Sequence, residues 1–297
     1  MTTTFIFDVS DTNKYPGLTR PWDATPPYLT PVFFKKEVLI RYFYHPRYMC
    51  QFCSETYGTL SSRINDFSVP FGVNSNNKVL IWYGDLMQAP ADEQVYLRLE
   101  NIQSDHIIDS EFYDAQIKSE FTAPIREMNI VQLKYKIQDL AASRFNTNIF
   151  KITTKESFKE IIEKCSRFKR ITFGHEDDLK RFVSEWNELL VEDIDHDSIK
   201  TLLDKKSITY TNGSKGNKIL EIFIKDILNI SENIIAPFFY LYDLRIWADH
   251  SDAQSKYEGV ATQLGLSKNA GNEEIYNLLI DNLLSFLEIL LRELDTT

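Results

Sequence analysis

In the stretch YLYDLRIWADHSD, Tyr240 to Asp252, Arg245 is followed, after four intervening residues, by His250. These two residue types suit chemistry at a phosphodiester. An imidazole, whose unperturbed pKa lies near physiological pH, can take a proton and give it back. A guanidinium stays charged and offers a planar fork to phosphate oxygens. A plainer account fits the same residues: Arg245 and Asp249 stand four apart on a helix and can pair as ions, and a histidine near a helix C-terminus is favoured by the backbone dipole. Spacing alone does not decide, because Arg170 and His175 in RITFGH repeat it.

A second concentration of reactive residues lies in SDHIIDSEFYD, where Asp105, His106, Asp109, Glu111 and Asp114 are ligand types for magnesium or manganese. Gathered around an ion, they could support metal-assisted phosphodiester cleavage; scattered, they form a solvated acidic face. Cys50 and Cys53 have the spacing of half a zinc knuckle or of a redox pair. Structural zinc normally takes four ligands and no second pair follows, so two ordinary strand cysteines are expected. Tyr15, Trp22, Tyr28, Phe33 and Phe34 form an aromatic arm that could stack a planar ligand, or could pack over a sheet to anchor itself. The chain has no Gly-rich phosphate loop, no G-x-S-x-G elbow and no H-E-x-x-H helix, which sets aside the usual nucleotide-hydrolase, serine-hydrolase and zincin chemistries.

The elements that must position these residues follow from pattern. Prolines crowd the first thirty or so residues (NKYPGLTRPWDATPPYLTP), which predicts an irregular arm. EVLIRYFY, YMCQFCSE, FSVPFGV and KVLIWYGDL, rich in β-branched and aromatic residues and separated by turn formers such as Tyr57-Gly58, predict strands of a mostly antiparallel sheet. Residues 94–121 keep neither period for long. From Pro124 the period becomes helical, first in a linking helix with Ile130, Leu133, Ile137 and Leu140, then from the capping pair Thr153 and Glu156 onward. DDLKRFVSEWNELLVEDI, DHDSIKTLLDKK, NKILEIFIKDILNISENII, PFFYLYDLRIWADH and the apolar NEEIYNLLIDNLLSFLEILLREL predict further helices, with TYTNGSKGN as a loop. The expected fold class is α+β: a mostly antiparallel β domain over residues 1–147, then an all-α bundle over residues 148–297. Pro237 and the recurrence of Phe238, Leu241 and Leu244 place Arg245 on a helix running from about Pro237 to Asp249.

A chain of 297 residues suits two domains. Its net charge of −10 and pI of about 5.1 argue against nucleic-acid binding through a broad basic surface, so any nucleic acid would meet a local site. Three cysteines and a start without a basic-then-apolar pattern point to a reducing, cytoplasmic setting, and no run is apolar enough to span a membrane.

In YDLRIWADHS and its helical setting the sequence resembles the HEPN superfamily, over residues of about 150 to 297. Nuclease members of that superfamily, small helical bundles, carry Arg, four to six residues, then His near the start of a late helix. One departure is Ile246, where a polar residue usually follows the arginine. The resemblance implies a metal-independent endoribonuclease that needs no cofactor. His250 would manage protons at the ribose 2′-hydroxyl or the leaving oxygen, Arg245 would hold the scissile phosphate, and Asp249 and Tyr242 would support them. It also implies an RNA substrate, a homodimer through the helical domain, and a toxin or phage-defence effector whose first domain recognises a protein or small-molecule trigger. An ideal helix would leave Arg245 and His250 about 140° apart. The helix must therefore end between them, or two protomers must share the groove. The alternatives are a HEPN-like module that binds nucleotide or protein without turnover, and a metal-dependent phosphodiesterase using Asp105, His106, Asp109 and Glu111.

Overall fold

The computed structural model describes residues 4–20, 23–151, 174–230, 233–250 and 252–296. The chain is α+β and divides into two compact units, Met1–Ile125 and Arg126–Thr297. The boundary expected near residue 147 therefore moves to residue 125. The helix read as a link belongs to the helical unit, where its Ile130, Val131, Ile137 and Ala141 are buried in the core.

The first unit carries a six-stranded antiparallel sheet in the order β2-β3-β4-β5-β1-β6. The strands are β1 (Pro31–Phe34), β2 (Tyr48–Phe52), β3 (Tyr57–Ser62), β4 (Ser68–Val73), β5 (Val79–Trp82) and β6 (Asn101–Ile102). PVFF and VLIW are apolar at consecutive positions because β1 and β5 are buried on both faces, paired in the register Val32 to Ile81 and Phe33 to Leu80. In β2 the faces alternate, with Tyr48 and Cys50 buried and Met49 and Gln51 exposed. Pro70 is tolerated inside β4 because β5 pairs only with Gly72 and Val73, so the proline lies where no partner needs its missing N–H on that side.

Three expectations fail here. EVLIRYFY is not a strand but a 3₁₀ turn, Lys36–Leu39, running into helix α2, Ile40–Tyr44 (α1 being Asp11–Lys14). It buries Val38, Leu39 and Tyr42, a helical spacing that its β-branched composition hides. Tyr57-Gly58 opens β3 instead of making a turn. The aromatic arm is only partly irregular, since Phe33 and Phe34 are wholly buried in β1. Tyr28 packs its ring against the backbone of Gly84, where a Cβ would run into it. Tyr15 packs edge-on against Tyr113 at 5.5 Å. The described rings of the arm thus anchor it to the sheet unit, and Trp22 lies outside the described residues. Helices α3 (Tyr83–Gln88), α4 (Ala91–Leu99) and α5 (Glu111–Tyr113) complete the unit. Phe112 of α5 stacks on Trp82 at 4.8 Å.

The second unit contains α6 (Arg126–Phe145), α7 (Glu176–Asn187), α8 (His196–Lys205), α9 (Asn217–Ile222), α10 (Ala236–Asp249), α11 (Gln254–Gln263) and α12 (Asn272–Asp295). α11 was not expected from the sequence. Two predicted helices change pitch partway, continuing as π-helical turns at Glu188–Glu192 and Phe223–Ile227. The capping pair Thr153 and Glu156, and Arg170, lie outside the described residues.

α12 explains its own apolar character. Ile275, Tyr276, Leu279, Ile280, Leu283, Phe286, Leu287, Leu290 and Leu294 are buried, while Glu274, Asp281, Glu288 and Arg292 form an exposed stripe. It packs on α6, α10 and α7, so its apolar surplus is consumed inside the unit. Several of the buried polar groups in this core are paired. The Tyr276 hydroxyl donates to Glu127 at 3.0 Å, and the Lys134 ammonium meets Asp193 at 2.6 Å. Gln138 Oε1 accepts from the backbone N–H groups of Ile149 and Phe150 at 3.0 and 2.9 Å. No described helix is long and apolar enough to cross a membrane.

Candidate functional site

α10 is a helix for local reasons. Pro237 sits in its first turn, where a missing N–H costs nothing, and Phe238, Leu241, Leu244 and Trp247 are buried at intervals of three. That face packs against α7, α11 and α12. Tyr242, Arg245 and Asp249 follow one another at three and four residues on the other face, where Tyr242 and Asp249 are exposed and the Arg245 side chain is 39% exposed.

Arg245 Nε lies 3.1 Å from Asp249 Oδ2, the ion pair that the four-residue spacing predicts, and Nη2 lies 3.7 Å from Glu192 Oε1. Glu192 is brought there by the π-helical turn after α7, and its Oε1 also accepts from Asn187 Nδ2 at 2.8 Å. The helix ends at Asp249. His250 leaves on extended backbone (φ −128°, ψ 118°), its N–H donating to the Ile246 carbonyl at 3.1 Å, with its residue exposed. No hydrogen bond or ion pair joins Arg245 to His250 among the described residues. Of the second R-x4-H copy only His175 is described, on the residue that precedes α7.

Beside Glu192 and Tyr242 opens a cavity of about 610 Å³ within the helical unit. Its apolar wall includes Val191, Ile194 and Phe239, and its cations are Lys151, Lys215 and Lys218, with His196 nearby. Asn217, the first residue of α9, lines it as well. Asn217 is 7% exposed, donates from Nδ2 to the Phe238 carbonyl at 3.0 Å, and has no partner for its buried Oδ1. None of these residues stood out in the sequence except Tyr242. The available signal was the lysine-flanked SKGNK run ahead of a helix, which reads only as a loop.

The acidic cluster of the first unit is dispersed. Asp105 accepts from Asn74 and Asn76 and faces Lys78 at 3.4 Å. Burial acts to raise its pKa, but the bonds from Asn76, the Ile107 N–H and Asn74, with the Lys78 charge, hold it below the usual carboxylate range. His106, at φ 65°, sets Nδ1 2.7 Å from buried Asp11, which also accepts from Ser104 at 2.6 Å. Asp109 lies 3.2 Å from the Tyr15 hydroxyl. Glu111 accepts from Ser54 and from the Thr56 N–H at 2.8 and 2.7 Å. Each carboxylate pins a different loop, and no group of three metal-ligating residues forms among the described residues. Asp105, His106, Asp109 and Glu111 are therefore corrected from a metal-site alternative to loop anchors. Cys50, in β2, is buried, and Cys53, one residue past the end of β2 and so not a strand cysteine as expected, is exposed; neither is in a disulfide.

No family model, curated protein or solved structure matches the chain.

Proposed function

We propose that the helical unit is a metal-independent endoribonuclease of the HEPN kind, with Arg245 and His250 as its catalytic residues and RNA as its substrate. The observation that carries this reading is the end of α10 at Asp249. Continued helix would turn His250 about 140° away from Arg245; extended backbone frees it from that constraint, one residue beyond the turn that carries the arginine.

In the proposed reaction the ribose 2′-oxygen attacks phosphorus and the 5′-oxygen leaves. The products are a 2′,3′-cyclic phosphate and a 5′-hydroxyl. His250 takes the 2′-hydroxyl proton or supplies one to the leaving oxygen, the work an exposed imidazole can do near neutral pH. Arg245, held at Nε by Asp249, turns its remaining donors to the phosphate and offsets the charge that develops there. Tyr242, one turn earlier, flanks the phosphate position. The active form is a homodimer through the helical unit, each protomer contributing a copy of the motif to one groove. The chain acts in the cytoplasm as a toxin or phage-defence effector, its first unit recognising a protein or small-molecule trigger.

The test is incubation of the purified chain, Arg245→Ala and His250→Ala with single-stranded RNA in EDTA. Cleavage to cyclic-phosphate ends by the parent alone is the expected result; equal cleavage by all three, or none by any, removes the reading. A strictly monomeric mass in solution removes the shared groove.

A second reading, a HEPN-like module that binds nucleotide or protein without turnover, is favoured by one observation: two carboxylates, Asp249 and Glu192, already stand against the Arg245 guanidinium.

A further inference from the structure

The cavity beside Glu192 is graded from apolar to charged. Val191 is 8% exposed, Phe239 is half-buried and Ile194 closes the wall behind them, whereas Lys151, Lys215 and Lys218 are exposed. The apolar residues thus form its floor and the ammonium groups its mouth. Its volume of about 610 Å³ lies within the usual span of small-molecule sites, roughly 300–1,000 Å³.

The mouth is unbalanced toward positive charge, although the chain as a whole is acidic. Of the two lining carboxylates, Asp243 is paired with Lys256 at 2.8 Å and Glu192 is taken up by Asn187 and Arg245. Lys215 and Lys218 form no ion pair among the described residues. Lys151 gives one proton to the Glu192 carbonyl at 2.7 Å, which leaves it two further donors.

The other polar side chains of the lining, which a base or a sugar would need as partners, are committed elsewhere. Asn217 donates from Nδ2 to the Phe238 carbonyl at 3.0 Å, and its Oδ1 is buried out of reach of the cavity. His196 turns Nε2 to Asp197 at 3.5 Å. The cavity therefore offers apolar surface beneath a group of cations, with few groups to read a polar body.

We propose that this cavity binds a small amphipathic monoanion, an alkyl chain ended by a carboxylate or by a sulfate ester. The head would lie toward Lys215 and Lys218 and the chain against Phe239 and Val191. A lysine ammonium meets its anion as a point charge, so the two heads share the chemistry that the site recognises. The inference stands apart from the roles given to Arg245 and His250.

Calorimetric titration of the full chain, with every probe below its micellar range, tests it. The probes are hexanoate, octanoate, decanoate, octyl sulfate, octanol, octyltrimethylammonium and AMP. One carboxylate or one alkyl sulfate is expected to bind per chain, the tighter of the two heads identifying the source. Affinity should rise with each added methylene, by up to about fourfold where the group is fully buried. Octanol and octyltrimethylammonium, with the same chain but no negative head, should bind more weakly than octanoate. The exposed pair Lys215→Glu and Lys218→Glu together should weaken octanoate about fivefold or more at low salt and leave octanol unchanged. No saturable binding by the folded chain, affinity indifferent to chain length or to the lysine reversals, or AMP binding as tightly as octanoate overturns the inference. The same titration on His250→Ala should be unchanged whether or not the parent cleaves RNA, so each proposal can fail without the other.

Discussion

Arg245 Nε stands 3.1 Å from Asp249 Oδ2, and the residue after Asp249, His250, has already left the helix. The pair ties the arginine to the last turn of α10, while Glu192 reaches the outer Nη2 at 3.7 Å from a different element. The two carboxylates differ in consequence. Asp249 is an intrahelical neighbour that fixes where the guanidinium points, whereas Glu192 competes for the donor that would meet a phosphate.

Glu192→Gln should therefore raise affinity for single-stranded nucleic acid. A partly exposed ion pair is worth about 0.2–1 kcal/mol, so the gain is about 1.4- to fivefold at low salt, shrinking as salt is added. Fluorescence anisotropy with a 2′-deoxy oligonucleotide reads it directly. Weaker binding would show instead that Glu192 orients Arg245 as Asp249 does.

Gln138 is the residue on which the Lys151 side of the cavity rests. Its Oε1 accepts from two buried backbone N–H groups, Ile149 and Phe150, immediately before Lys151. Gln138→Leu keeps the volume and strands both donors, at about 2–4 kcal/mol. Asn148 accepts from Gln138 Nε2 at 2.6 Å but is exposed, so Asn148→Ala should cost no more than about 0.5 kcal/mol. Urea unfolding of the two variants side by side checks the contrast; equal losses would mean that the amide's donor, not its acceptor, matters.

The buried pair of Tyr276 and Glu127 makes a similar demand. Both side chains are almost wholly excluded from water, and the Tyr276 hydroxyl donates to the Glu127 carboxylate at 3.0 Å. Burial first, and the neighbouring Glu127 charge second, drive the Tyr276 pKa far up, so the hydroxyl stays a donor throughout the accessible pH range. Tyr276→Phe should lower stability by about 1.5–3 kcal/mol, the range for a hydrogen bond to a charged group. The urea midpoint should fall with the slope unchanged. An unaltered midpoint would show that the carboxylate's other interactions suffice.

Much of this architecture is visible in the sequence, and what is hidden is hidden for physical reasons. α10 is legible because Pro237 marks its start and Phe238, Leu241 and Leu244 mark its buried face. The Arg245–Asp249 pair follows from that period alone. β1 is obscured by the prolines just ahead of it, although PVFF is as apolar as the β5 strand it pairs with. EVLIRYFY misleads because composition favours a strand, while the positions that are buried, Val38, Leu39 and Tyr42, follow a helix. The cavity could not be read at all. Lys151, Glu192, Asn217 and Tyr242 meet only through packing of separate elements, and no local spacing announces it. The acidic run misleads in the opposite sense, since neighbours in sequence turn to different loops.

Asp105 gives that last point a measurable form. Hydrogen bonds from Asn76, the Ile107 N–H and Asn74, with the Lys78 charge, outweigh burial and bring its folded-state pKa below the ordinary 3.8. A carboxylate with a depressed folded pKa adds stability that is fully present above its unfolded pKa and is lost as pH falls through the folded value. Asp105→Asn should thus lower the melting temperature of the sheet unit near neutral pH. The gap from the parent should close only below pH 3.8, where the parent's own carboxylate takes up a proton. Thermal unfolding followed by circular dichroism from pH 7 to pH 3 tests the sign. A gap that widens on acidification would mean that Asp105 is held neutral in the fold, and that the Asn74, Asn76 and Lys78 contacts do not set its charge.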